Sequence, residues 1–461
     1  MVENIAILGA GVTGLSAAHR IRERSPDTNI SVFDRDSQIG GMAKTIQWNG
    51  CNLDLGPHRF FTEIPGIEEF VRNLCANRFV PVERRSRMYL REKFLRYPVK
   101  PAEMMKALGI RVSAQIAFSS ARACLSRRDP APTTYQDYIY TRFGKKLYEI
   151  LFGPYARKVW GCDPSLLEAE TAIVRLRGDN IFQSLMDTLR GKGETYVSRF
   201  IYPTGGIGEI AAQLSRVLSE NQLVLSTGEA RPVIERGFCT GIKSAKKGFH
   251  PAGAVLSTIP LPALARALFK PDSQPHHAAN ELRFRALLLL FLEYEKELPF
   301  DDTWMYFPEE DIPFTRLNVP KRFHPDSVPS GKTVLCLECP CNQGDTLFQA
   351  DESDLRTLAD QYLQRMGLTD CDAAAGLLVR LAEGYPVYRL GYREHVGVIV
   401  DALKEIPNLV TAGRQGLFRH NNIDQAIQMG LLAGEHLSTF PTESSRWYDR
   451  LSQFDGYRIV D

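Results

Sequence analysis

The chain has 461 residues, 44% hydrophobic and 24% charged, with 56 Lys and Arg against 54 Asp and Glu for a formal net charge of +2. That length exceeds one simple core and calls for several lobes. The composition is that of an ordinary globular protein, and the near balance of charge leaves no concentrated basic face for nucleic acid. The nine cysteines are scattered without framework spacing, and the first residues run into a strand without a signal pattern, so a cytoplasmic location is expected. Cys336, Cys339 and Cys341 offer a single CxxC pair with no second pair to complete a zinc site, so no metal is expected. The longest apolar run, Ala286 to Leu292, is under half of the roughly 18 residues a membrane span requires, so no transmembrane segment is expected. The expected partner is a small molecule, and nothing in the sequence sets the oligomeric state.

In chain order, Val2 to Leu8 is an apolar run ending at Gly9, Leu15 to Arg24 carries helix formers, and Asn29 to Phe33 is a second β-rich run. Together they predict a βαβ unit, which forces a parallel sheet. Between Val99 and Arg190 the pattern predicts helices at Met104 to Leu108, Gln115 to Leu125, Tyr135 to Phe143 and Lys146 to Trp160. Short strands follow at Leu223 to Ser226, Val233 to Glu235 and Ala254 to Thr258, expected to rejoin the first sheet. Phe284 to Glu293 and Thr333 to Glu338 predict further strands, Ser353 to Arg365 a helix, Leu409 to Ala412 a last strand and Asp424 to Leu437 a last helix. The expected fold is α/β: a doubly wound, Rossmann-like domain built from residues 1–75, 200–260 and 395–461. A helical lobe or lid (76–199) and a mixed α+β substrate domain (261–394) are inserted into it.

Gly9-Ala10-Gly11-Val12-Thr13-Gly14 sits between the predicted strand and helix, the one context in which this glycine pattern has physical meaning. Gly9 makes the tight turn, Gly11 lets the backbone approach a pyrophosphate, and Gly14 permits close helix packing. The helix start at Val12 and Thr13 presents free N–H groups to phosphate. Asp34, twenty residues after Gly14, ends the second strand where a carboxylate accepts ribose hydroxyls and repels a 2′-phosphate. Arg35 lies beside it, and a second glycine turn, Gly40-Gly41-Met42, follows.

That paired-glycine turn resembles the motif after the fingerprint in flavoproteins of the amine oxidase and protoporphyrinogen oxidase superfamily. Four further blocks carry the resemblance. Asp54-Leu55-Gly56-Pro57-His58-Arg59-Phe60-Phe61-Thr62 looks like the flavin-lining segment of protoporphyrinogen oxidase-like proteins and UDP-galactopyranose mutases. Phe152 to Gly161 is similar to a substrate-side block of the mutases, Tyr202 to Gly208 to a turn that returns the chain to the cofactor domain, and Gly413 to Gln425 to the segment that closes the FAD site. The resemblance implies a GR2-type FAD-binding fold and non-covalent FAD. It places Gly56, Pro57, His58, Gly413, Arg414, Asn422, Ile423 and Asp424 against the cofactor, with Asp424 a candidate helix N-cap.

Among polar residues, His58 can orient a ring or move a proton near neutral pH, and with Arg59, Trp160 and Tyr385 it forms the candidate catalytic set. Tyr155, Trp160, Arg175, Arg177 and Arg419 are the candidate substrate contacts, because arginine forks suit anions. His420 reads as a solvent-exposed residue near a helix start. The expected activity is an FAD-dependent oxidoreductase passing a hydride between a small anionic substrate and flavin N5. The alternatives are a redox-neutral pyranose/furanose mutase and a non-catalytic flavin-binding protein. Phe61 departs from the mutases, which carry a second histidine near that position. No Ser-His-Asp order or HExxH supports a hydrolase.

Overall fold

The computed structural model describes residues 4–97, 99, 101–125, 131–176, 198–439 and 443–459. The first strand, β1 (Asn4–Leu8), leads through Gly9 to Gly11 into α1 (Val12–Arg24) and on to β2 (Asn29–Phe33). β1 is the middle strand of a five-stranded parallel sheet, between Ala254–Ser257 on one side and β2 on the other, with Leu409–Thr411 and Leu223–Val224 at the edges. Ile7 pairs in register with Leu256 and with Val32. Helices cover both faces, so these strands read as unbroken apolar runs.

The last long helix, Ile423–Thr439, lies along α1. Two glycines set that approach: a Cβ at Gly434 would stand 2.5 Å from the Ala17 carbonyl oxygen, and one at Gly430 would overlap the Thr13 oxygen. The carboxyl ends of β1, β2, Ala254–Ser257 and Leu409–Thr411 therefore converge at Gly9, Asp34, Thr258 and Gly413, the side of an open α/β sheet where ligands bind.

Ala230–Glu235 does not rejoin this sheet as expected. It pairs antiparallel with Phe238–Ser244, which pairs with Gly248–Pro251. Arg236 and Gly237 both have positive φ (51° and 82°), the backbone of a two-residue hairpin turn, and such a turn can join only antiparallel neighbours.

The second large sheet has seven strands, in the order Ala375–Pro386, Phe284–Tyr294, Thr333–Cys341, Arg316–Asn318, Trp304–Tyr306, Ser86–Leu90, Lys93–Arg96. Leu288, Leu290 and Leu292 pack with Leu335 and Leu337 on one face, and Leu287, Leu289 and Phe291 with Val334 and Cys336 on the other. The span 76–199, expected to be helical, thus contributes two strands here, and Phe79–Glu83 pairs with Arg199–Pro203. Those strands are short and interrupted by Arg84, Arg85 and Arg87, so no apolar alternation announces them. The helices Pro101–Leu108, Ile110–Leu125 and Tyr135–Phe143 form as expected. Lys146 to Trp160 is not one α-helix: a π-helical stretch, Tyr148–Phe152, precedes Gly153–Trp160. Pro154 has no N–H to continue the ladder, which is a physical cause for that break.

Candidate active site

The fingerprint turn is tied to the end of β2 by one carboxylate. Asp34 Oδ2 accepts the Ala10 N–H at 2.7 Å and Oδ1 the Asp36 N–H at 2.9 Å, while burial raises its pKa. Gly9 has φ 103°, and a side chain there would overlap the Thr258 hydroxyl, which donates to the Leu8 carbonyl at 2.8 Å. A Cβ at Gly14 would overlap the Gly9 carbonyl oxygen. Gly11 differs from both. Its φ of −74° is open to any residue, and an added Cβ would meet no protein atom nearer than Gly41 Cα at 3.9 Å. The protein leaves that space, and α1 starts there without a side-chain cap or an acidic first turn, so its positive end faces the space unneutralised. This cradle fits a pyrophosphate.

The second glycine turn closes over the first: Gly40 N–H donates to the Ala10 carbonyl at 2.8 Å, and Gly41 with Met42 begins the short 3-10 turn beyond it. Arg35 instead reaches the Glu383 carboxylate at 2.9 Å and is 63% exposed, so the structure gives it an ion pair. Gly413 touches the same cradle from the C-terminal segment, since a Cβ there would lie 2.7 Å from Thr13 Oγ1.

The segment Gly56-Pro57-His58-Arg59 lies near Arg414, the residue after Gly413. It is held from below by Asp54, which accepts from Thr45 Oγ1 (2.6 Å), the Tyr202 hydroxyl (2.6 Å) and the Ile207 N–H (3.1 Å), and whose pKa burial pushes up to about 6. His58 is half-buried, and its Nδ1 is shielded from water with no hydrogen-bond partner among the described residues. Burial, then the nearby Arg414 and Arg316, push its pKa down to about 3, so the imidazole is neutral. Arg316 grips the buried Glu338 with two bonds of 2.9 Å, a fork the sequence reading missed. The Arg59 guanidinium lies 5.9 Å from the Trp304 ring and electrostatically near Asp424.

The facing wall is aromatic and cationic. Trp160 is 4% exposed and meets His420 and Tyr385 edge-on, at ring-centroid distances of 5.2 and 6.3 Å. Arg175 stands 5.0 Å from the Trp160 ring and 5.7 Å from that of Tyr385, and Arg414 lies 4.8 Å from the Tyr385 ring. The Nε of each guanidinium is shielded and unpartnered, and among the described residues neither arginine pairs with a carboxylate. Tyr155, on Gly153–Trp160, is half-buried and close enough to Arg316 to interact electrostatically with it.

Several assignments change. His420 is buried rather than solvent-exposed: its N–H donates to the Tyr388 hydroxyl at 2.8 Å, its Nδ1 is 3.4 Å from Arg175, and burial holds its pKa well below the usual value. Arg419 has a carboxylate partner of its own, Asp455 at 2.7 Å, and so ties down the C-terminal segment. Asp424 is not the N-cap. It lies within the first turn of Ile423–Thr439, where its buried carboxylate is hydrogen-bonded to Thr62 and to the backbone N–H groups of Gln425 and Asp424. It thus satisfies first-turn donors from inside the helix, while Gln425 Oε1 accepts the N–H of Asn422, which precedes the helix, at 3.0 Å. Arg177 lies outside the described residues.

A glycine-built cradle at the carboxyl ends of a parallel sheet, with an uncapped helix N-terminus facing it, defines a dinucleotide-binding protein. The flavin containing amine oxidoreductase family matches over residues 12–436, and the chain belongs to that family. It is an FAD-dependent enzyme of the oxidoreductase class. Coproporphyrinogen III oxidase of Staphylococcus aureus is 20% identical, over 95% of this chain and 99% of that protein. The probable UDP-galactopyranose mutase of Klebsiella pneumoniae is 25% identical over 36% of this chain and 43% of its own. In fold the chain is similar to a reduced UDP-galactopyranose mutase, with a TM-score of 0.85, 20% identity and coverage of 100% and 99% of the two chains. Among the described residues no helix is long and apolar enough to cross a membrane, and no group of three or more His, Cys, Asp and Glu could hold a metal ion.

Proposed function

We propose that the enzyme binds a small anionic substrate between Trp160, Tyr385, Arg175 and Arg414 and acts on it as a hydride-transferring oxidoreductase. The observation that carries this reading is the pair of guanidiniums, Arg175 and Arg414, set over one tyrosine ring with no carboxylate partner among the described residues. Two cations held that close without a counter-ion suit a phosphate or carboxylate ligand, which replaces the missing partner.

FAD, when bound, would supply the electron-pair acceptor or donor at its N5 position, and the residues of the cradle around Gly11 and Asp34 would hold its pyrophosphate and ribose. His58, held neutral with its pKa pushed down to about 3, is too weak a base to keep a substrate proton at physiological pH, so its unpartnered Nδ1 serves as a neutral hydrogen-bonding group that orients substrate or cofactor. Trp160 excludes water from the wall, and His420, wedged between Trp160 and Tyr388, orients Arg175. Asp54 keeps the His58 segment in register with the cradle through its three hydrogen bonds.

A second reading, the pyranose/furanose mutase, is favoured by the block Tyr155 to Gly161 and by the suitability of two adjacent guanidiniums for a diphosphate. Turnover stoichiometry separates the two. Dithionite-reduced holoenzyme is incubated with UDP-galactose and related sugar nucleotides, and product is counted against flavin. The oxidoreductase consumes one donor or acceptor per product. Many isomerised products per reduced flavin, with no acceptor consumed, would replace the first reading by the second.

A further inference from the structure

We propose that the helix Ile110–Leu125 is a docking surface for an anionic lipid bilayer, lying flat in the membrane interface. The helix has a buried inner side and an exposed apolar one. Ile116 and Ser120 form the inner one, at 6% and 1% exposure, with the Ser120 hydroxyl donating to the Phe143 carbonyl at 2.6 Å. With about 100° between successive residues, Ile110, Ala114, Phe118, Ala121 and Leu125 fall within an arc of roughly 80° on the opposite side. Ile110 is 82%, Phe118 73% and Leu125 88% exposed, and Met105 of the preceding helix is 51% exposed. A helix resting on a globular core normally turns charged and polar residues outward. Here large apolar side chains take that place along a helix of 16 residues, about 24 Å.

Charge selects the occupant. The helix holds no Asp or Glu, while Arg111 and Arg122 run along one edge of the apolar stripe, exposed and without an ion pair among the described residues. A second copy packed antiparallel on this face would bring the arginines of one helix towards those of the other, with no carboxylate on either helix to neutralise them. Lipid phosphates neutralise them directly, while Phe118, Ile110 and Leu125 enter the acyl boundary. At 16 residues the helix is too short to span a bilayer, so it lies in the interface plane.

The test is co-sedimentation of the FAD-loaded full chain with vesicles of phosphatidylcholine alone or mixed with phosphatidylglycerol, at low and high salt. Binding is expected to the phosphatidylglycerol vesicles, weakened by salt. Each of Arg111→Gln and Arg122→Gln should lower it roughly fivefold, and the pair Ile110→Asp and Phe118→Asp should abolish it while flavin content and melting temperature stay unchanged. Absence of sedimentation at either salt concentration overturns the proposal. So does equal binding by the Ile110→Asp, Phe118→Asp variant. A dimer in light scattering that this variant dissociates, with no vesicle binding, would assign the face to a second copy instead.

Discussion

Replacing Gly11 by valine separates what the fold needs from what the cofactor needs. Gly11 has φ −74° and ψ 173°, a backbone conformation that valine adopts without strain, and the nearest protein atom to an added Cβ is 3.9 Å away. For folding, a less suitable residue ahead of α1 costs about 0.5–1 kcal/mol, and the lower entropy of the unfolded chain returns about as much. The apo protein should therefore melt within a few degrees of wild type. For the cofactor, the valine methyl groups occupy the path by which the pyrophosphate reaches the helix N–H groups. Losing two charge-assisted hydrogen bonds at about 1.5–3 kcal/mol each weakens FAD by roughly 3–6 kcal/mol, or about 10² to 10⁴-fold. Gly14→Ala is the control with the opposite outcome, because its Cβ overlaps the Gly9 carbonyl and must move backbone, which costs about 1–3 kcal/mol of stability. The assays are flavin absorbance per protein after purification and apo-protein melting. Full FAD retention by Gly11→Val, or an apo melting temperature as low as that of Gly14→Ala, would refute the reasoning.

Arg175→Ala and Arg414→Ala should each raise KM for an anionic substrate at least tenfold, with flavin content kept in Arg175→Ala; equal loss of flavin and substrate binding would assign Arg175 to folding. Arg316→Ala leaves the buried Glu338 without its fork and should cost about 3–5 kcal/mol in chemical unfolding; a change under 1 kcal/mol would show that Glu338 finds another partner. His58 titrates near 3 when folded against 6.5 as a free side chain, so between those values the unfolded chain binds a proton the folded chain refuses. Its contribution is complete above pH 6.5 and is lost as pH falls towards 3. Asp54 acts in the opposite sense between 3.8 and about 6, where the folded state holds the extra proton and stability declines as pH rises. Comparing urea midpoints of wild type and His58→Gln from pH 7 to 4 isolates the histidine, and parallel curves would argue against a shifted His58.

The sequence by itself determined the elements whose signals are local. The fingerprint needs only a strand, three glycines and a helix within a few residues, and Asp34 only a fixed chain length to the end of β2, so the places of Gly9, Gly11, Gly14 and Asp34 at the strand ends were legible. The closing segment was legible too, from Gly413 to the helix that follows, although its contact with Thr13 was not. Tertiary structure decided everything that depends on burial and long-range pairing. His420 and Arg419 are neighbours in sequence, yet one is enclosed by Trp160 and Tyr388 while the other faces Asp455. Chain order carries no sign of which is which. Arg316 and Glu338 stand on strands joined by a long connection, and their fork exists only because Arg316–Asn318 pairs with Thr333–Cys341. Asp54 acquires its role from Thr45, Tyr202 and Ile207 only when residues far apart in sequence are brought to one point. The physical reason is common to all three: charge, hydrogen bonding and pKa are set by what surrounds a side chain in space, and only the folded sheets define those surroundings.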